Sequence, residues 1–262
     1  MKSFIMKLFS RKNSWFIIIA AIIIIYSVIV AIAPVRKLNE LKKETFLDSV
    51  YISQNLAVKN QAQLFQLAKE KAFLEAQLGM VNSDSIGLII NLKDSLVSMS
   101  LKGVIIHSSK VENFKQDPFF KEINPLVYTK LFAKPLIIQS EYSSIVKEPI
   151  VIRKAPKDTI EALENAYKPD TLIQNATYFN IDLNHDIKLI FIQKEWLSKE
   201  DKEIERKYKS DLLRVRLQNI ASSFLHLKKA SYMPTLIIEL DDKDIRSIYR
   251  AIPFHSQVVI TY

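Results

Sequence analysis

His185 and Asp186 stand side by side, and an imidazole next to a carboxylate can act as a general base with its orienting group. Ser108-Ser109 and Ser143-Ser144 offer hydroxyls that would serve as nucleophiles if a base stood beside them. His107, His226 and His255 complete a set of four histidines, none at metal-ligand spacing. Asp241, Asp242 and Asp244 resemble half of a cation site. Each has a plainer reading. His185-Asp186 falls between two extended runs, where short polar residues make turns. The serines read as solvated loop hydroxyls. The three aspartates precede an amphipathic stretch and suit the start of a helix, where acids complement the dipole. Glu200 to Lys209 is a mixed charge run, most simply a solvated helix face. Asn175-Ala176-Thr177 has the form of a glycosylation sequon and carries no weight by itself. We assign no catalytic, cofactor-binding or metal-binding residue, and expect no cofactor.

The composition excludes several chemistries. The 262 residues include no cysteine, so there is no disulfide framework, no thiolate nucleophile and no thiolate metal site. Three glycines are too few for a phosphate loop, a dinucleotide fingerprint or a nucleophile elbow. Hydrophobic residues at 48 % and charged residues at 25 % are ordinary for a folded chain. The net charge of +9 has four of its positive charges (Lys2, Lys7, Arg11, Lys12) in the first fourteen residues. Elsewhere Lys and Arg are interleaved with Asp and Glu, so nucleic acid is not an expected partner.

Positioning elements begin at the N-terminus. Residues 1–14 form a basic tail. Residues 15–33, WFIIIAAIIIIYSVIVAIA, carry no charge. As a helix they would span roughly 28 Å, close to the hydrocarbon core of a bilayer. Ala31-Ile32-Ala33 has the form of a signal cleavage site, but the apolar run is longer than a signal peptide requires and Pro34 follows the cut. The expectation is an uncleaved single-pass transmembrane helix in the inner (cytoplasmic) membrane. Basic residues flank it on both sides, so the positive-inside rule is nearly tied; a short basic tail points to a periplasmic C-terminal domain.

Residues 35–79 hold no Pro after Pro34 and no Gly before Gly79. Phe46, Val50, Ala57, Leu64, Leu67, Leu74 and Leu78 share one alternating 4,3 frame, interrupted by Ser53, Asn60 and Lys71. This heptad pattern predicts a long helical, coiled-coil-like stalk projecting roughly 65 Å. Two readings stay open: a parallel coiled coil, making a homodimer or pairing with another anchored helix, and a single helix laying this stripe against the following domain.

From residue 86 to 262 the period turns extended. Predicted strands are Gly87–Asn91, Leu96–Leu101, Val104–Ile106, Val127–Phe132, Leu136–Glu141, Pro149–Arg153, Tyr178–Leu183, Ile187–Gln193, Thr235–Leu240 and Gln257–Tyr262. Lys102-Gly103 and Asn184-His185-Asp186 are turn signals. Predicted helices are Thr159–Ala166, Lys199 to about Lys228, and Asp242–Ala251, capped by Asp241, stopped by Pro253 and burying Ile245, Ile248 and Tyr249. The fold class expected is α+β: a transmembrane helix, a stalk, and a mainly-β C-terminal domain with inserted helices.

The segment Ile238 to Ile260, IELDDKDIRSIYRAIPFHSQVVI, resembles the C-terminal end of the YkuD-type L,D-transpeptidase domain: a strand, an Asp-capped helix, a Pro turn and a closing strand. Ile89 to Ile106, IINLKDSLVSMSLKGVII, is similar to that family's first hairpin. Together they cover about a third of the domain. The family cross-links peptidoglycan peptides through a cysteine in a Ser-x-Gly-Cys-x-Arg loop, with an upstream His-Gly. Here Ile237 stands near the cysteine position, Glu239 near the arginine, and His-Gly is absent. The resemblance therefore implies a catalytically inactive relative with a structural or binding role in the cell envelope, its partner peptidoglycan or an envelope protein. Two alternatives stand beside it. One is an envelope-polymer enzyme with a non-cysteine mechanism, which requires His107, His185 or His255 to meet a carboxylate or serine. The other is a scaffold subunit of a division, elongation or secretion complex.

Overall fold

The computed structural model describes residues 22, 24, 25, 28, 32–43, 61–147, 176–194, 201–207, 209, 210, 213 and 232–262. The strands are β1 (Gly87–Asn91), β2 (Leu96–Leu101), β3 (Val104–Lys110), β4 (Asn113–Gln116), β5 (Leu136–Ser143), β6 (Tyr178–Leu183), β7 (Ile187–Gln193), β8 (Thr235–Leu240) and β9 (Gln257–Thr261). The helices are α1 (32–43), α2 (Gln61–Met80), α3 (Pro118–Glu122), α4 (Pro125–Phe132), α5 (201–207) and α6 (Asp242–Ala251).

Among the described residues the strands form one nine-stranded sheet in the order β3-β2-β1-β9-β5-β6-β7-β8-β4. The β1–β9 and β7–β8 pairs are parallel; the remaining pairs are antiparallel. Two places bend the sheet. In β5, Leu136 and Ile137 pair with β9, while Ile138 onward pairs with β6 across a register shift. At the edges, Lys110 of β3 pairs with Leu96 and Asn113 of β4 pairs with Glu239, and only Val111 and Glu112 lie between. Their N–H groups donate to the carbonyls of Ser95 (2.8 Å) and Glu239 (2.9 Å). One continuous run thus supplies both sheet edges, so the sheet curls round until they meet.

The curled sheet encloses the main core. Leu88, Ile90, Phe179, Ile181, Leu236 and Ile238 face into it at alternate positions. Phe179 and Phe191, directly paired on β6 and β7, stack with centroids 4.5 Å apart, and Tyr249 of α6 packs 5.1 Å from Phe179. The outer face is covered in patches. Ala76 and Met80 of α2 cover Ile89 and Val259; Ile204 of α5 covers Tyr178 and Ile190. This double burial explains why β1 and β7 read as nearly continuous apolar runs. The bare backbone at Gly87 leaves room for the tip of Met80, whose Cε would lie 2.0 Å from a Cβ there. Lys102 and Gly103 have φ of 52° and 80°, the two left-handed positions of a type I′ hairpin turn.

Most predicted strands and α6 lie where the sequence places them, with Ile245, Ile248 and Tyr249 buried. Val127–Phe132 is instead helical: Asn124 accepts from the N–H of Val127 (2.8 Å), and Pro125 at the first helical position starts α4. Asp241 precedes α6 without a side-chain cap hydrogen bond. Pro149–Arg153, Thr159–Ala166 and residues 214–228 of the long predicted helix lie outside the described residues.

The expected architecture needs a larger correction. Among the described residues no helix is long and apolar enough to cross a membrane; α2, at twenty residues, carries Lys69, Glu70, Lys71 and Glu75. This overturns the expectation of a single-pass transmembrane helix in the inner membrane, and with it the ground on which the C-terminal domain was placed in the periplasm. Residues 1–14 and most of 15–33 lie outside the described set. No long coiled-coil stalk is present among the described residues either. Leu38 of α1 is buried in the main core, and Lys37 bonds Asp186 at 2.6 Å, so α1 lies against the domain. α2 does likewise through Ala72, Ala76 and Met80, while 44–60 lie outside the description. The fold is mixed α+β around a single curled sheet, in place of anchor, stalk and mainly-β domain.

Candidate functional site

Among the described residues, polar and aromatic groups converge on a groove of about 730 Å³ between α2 and one end of the sheet. α2 contributes Phe65, Lys69 and Phe73, which repeat every four residues and so share one helix face. The β1–β2 turn contributes Asn91, Lys93 and Asp94. Phe114 and Gln116 come from β4, Phe120 and Lys121 from α3, and Tyr262 follows β9. These segments meet because β1 and β9 are parallel neighbours and because the sheet closes at Val111–Glu112.

Lys69 sits among aromatic rings. Its ammonium lies 4.5 Å from the Tyr262 ring centroid, 4.8 Å from Phe65 and 5.3 Å from Tyr128, and donates to the Tyr262 carbonyl at 2.9 Å. Burial lowers its pKa from the ordinary lysine value. Behind it, Tyr128, Phe132, Phe120 and Tyr262 pack at centroid distances of 4.9 to 5.9 Å. Burial raises the Tyr262 phenol well above the ordinary value, and Tyr128 adds to the rise; burial raises Tyr128, with a Thr261 hydrogen bond opposing. The Tyr262 hydroxyl is buried and has no hydrogen-bond partner among the described residues.

The turn side of the groove is polar. Lys93 bonds Glu70 at 3.1 Å, and Gln66 donates to the same carboxylate, which holds Glu70 below the usual range. Asn91 donates to Asp94 at 2.7 Å and accepts from its backbone N–H, which fixes the turn. Three lysines and two carboxylates therefore line the groove. Lys93 is paired with Glu70, and Lys121 stands at the end of α3. The arrangement can hold an anionic group with Lys69 and Lys121 and a flat apolar face against the rings.

The residues singled out in the sequence are not gathered here. His107 on β3, His185 in the β6–β7 turn and His255 in the α6–β9 turn stand in separate places, and His226 lies outside the described residues. His107 does meet both a serine and a carboxylate, but through one nitrogen: Nε2 is 2.9 Å from Ser109 Oγ and 3.7 Å from Asp244. A proton relay needs the acid on one ring nitrogen and the hydroxyl on the other. His185 adopts φ 63° in its turn, and His255 Nδ1 lies 3.2 Å from the Ile138 carbonyl. Ser108 bonds Ser98 at 2.9 Å. Ser143 and Ser144 donate to the backbone carbonyls of Tyr178 and Ala176, tying a loop to β6. Asp242 pairs with Arg246 on its own helix. Among the described residues no group of three His, Cys, Asp or Glu side chains could hold a metal ion.

Sequence reasoning missed the groove because it followed the Leu64–Leu78 stripe of α2, read either as a coiled-coil seam or as the face laid against the domain, and not the Phe65–Lys69–Phe73 stripe. Leu67, Leu74 and Leu78 face outward, and the Phe65–Lys69–Phe73 stripe is the one that meets the domain. The signal available was the pair Ala72 and Ala76, small residues that let a helix approach a sheet. No protein-family model, curated protein or solved structure matches this chain.

Proposed function

We propose that this chain is a non-catalytic binding protein and that the α2 groove is its ligand site. The ligand is an extended, carboxylate-bearing molecule with flat or apolar faces, as peptidoglycan with its acidic stem peptides is. The observation that carries the reading is the groove itself: lysines set among aromatic rings, in a volume typical of ligand sites. Aromatic faces suit sugar rings, and ammonium groups suit carboxylates. The absence of cysteine and the single-nitrogen geometry at His107 support a binding role over acyl transfer.

The test is co-sedimentation of the full chain with purified peptidoglycan, with an inert basic protein as control and at two salt concentrations. The parent is expected to pellet in a salt-resistant way. Phe114→Ala combined with Lys121→Glu, both at groove positions outside the buried core, is expected to abolish pelleting. Equal pelleting of parent and variant, or none by the parent, contradicts the reading. A second reading has one observation in its favour. Among the described residues β4 borders the groove and is a sheet edge paired with β8 alone, so a partner protein's strand could pair beside Phe114. That reading predicts retention of a protein in place of peptidoglycan.

A further inference from the structure

α2 has two faces of opposite environment. Its inner face carries Ala72, Ala76 and Met80 into the domain. Its outer face carries a strict 3,4 repeat, Leu64, Leu67, Lys71, Leu74 and Leu78, continued by Val81 just past the helix end. The five apolar members are 37 to 68 % exposed. Val81 lies against Gly103, and Lys102 pairs with Asp84 at 2.7 Å, so the stripe runs onto the β2–β3 turn, which holds its far end in place. A contiguous apolar stripe on a rigid support marks an interaction surface.

We infer that this seam binds a second copy of the chain, α2 against α2, antiparallel about a two-fold axis near Ala72 and Phe73. The spacing and the charges select that partner. Antiparallel pairing about this axis sets Leu64 against Val81 of the second copy, Leu67 against Leu78 and Lys71 against Leu74, so every member of the repeat has a partner. Beside the seam, Glu70 then neighbours Gln77 and Glu75 neighbours Ala68 across the pair. A parallel pair would instead set Lys71 on Lys71 and Glu70 beside Glu75, like charge against like charge. Lys71 is 72 % exposed and lies 3.6 Å from Glu75 of its own helix. Its methylene stem can cover the second copy's Leu74 while the ammonium stays at the rim. The seam is self-complementary, which a two-fold interface requires, and it lies on the face of α2 opposite the groove, so it does not depend on the groove's ligand.

The chain has no cysteine, so introduced thiols report cleanly on this geometry in the full-length protein. Single variants Leu67→Cys and Leu78→Cys and the double variant are oxidised with diamide and run on denaturing gels. Circular dichroism confirms that each retains the parent's fold, as exposed positions should. The expected result is a covalent dimer from the double variant alone, because residues 67 and 78 are opposed across the axis but more than a disulfide's reach apart within one helix. Dimer formation by Leu67→Cys alone would mean a parallel pair. Absence of dimer from the double variant would mean that the seam is bare or covered by another segment. Either result overturns the inference.

Discussion

Lys69 holds its charge where burial disfavours an ammonium, and Tyr128 and Tyr262 hold phenols where burial disfavours a phenolate. The two kinds of group act in opposite directions with pH. A phenol raised in the folded state keeps its proton above its ordinary pKa of about 10, where the unfolded chain loses it. The folded state then binds more protons, so stability falls as pH rises past that value. Tyr232, raised by burial and by its hydrogen bond to Asp117, and Tyr249, raised by burial and by Glu141, contribute in the same sense. Lys69 is lowered, so between its folded pKa and the unfolded value the unfolded chain binds the extra proton, and stability rises with pH in that window. Four phenols oppose one ammonium. The expected outcome is cooperative unfolding on titration above about pH 10, with phenolate absorbance and loss of circular dichroism rising together. Phenolate absorbance that rises fully before the dichroism changes would contradict this burial.

Elements show most clearly what the sequence could and could not say. β6 and β8 were legible because their inward residues alternate, and β7 because a short run rich in isoleucine and phenylalanine agrees with burial on both faces. Val127–Phe132 misled because a short apolar run fits a strand or a buried helix equally well, and the deciding signal is local. Asn124 and Pro125 just upstream form a cap, and the carboxamide satisfies one orphan N–H of α4. Asn124→Ala is expected to destabilise the fold by about 1 kcal/mol, and Asn124→Ser by much less. Urea unfolding of both variants checks this, and equal losses would mean that the cap contributes nothing. β4 and α3 escaped notice for another reason. Four exposed residues and one helical turn carry no periodicity, and their positions depend on pairing with β8 and on the Asp117 cap. On α2 the sequence offers two stripes, and only the packing of Ala72 and Ala76 decides which one is inside.

At the scale of the molecule, the groove exists because distant segments converge. Phe65 and Lys69 come from α2, Asn91 to Asp94 from the first turn, Phe114 from β4 and Tyr262 from the strand end. Only the α2 part has a spacing that a sequence can display. The rest follows from the parallel β1–β9 pair and from the closure at Val111–Glu112, both of them long-range. The same long-range packing overturned the extended layout: a helix-rich stretch without glycine suits a free stalk and a docked helix equally, and α1 and α2 are docked. The groove is thus a property of the curled sheet with α2 laid across its end. The most direct measurement is backbone amide hydrogen exchange of the full chain with and without soluble peptidoglycan fragments. Binding in the groove predicts slowed exchange at 91–94 and 114–116, with β6 and β7 unchanged. Slowed exchange confined to other parts of the chain, or none at saturating fragment, would contradict the assignment of the groove as the ligand site.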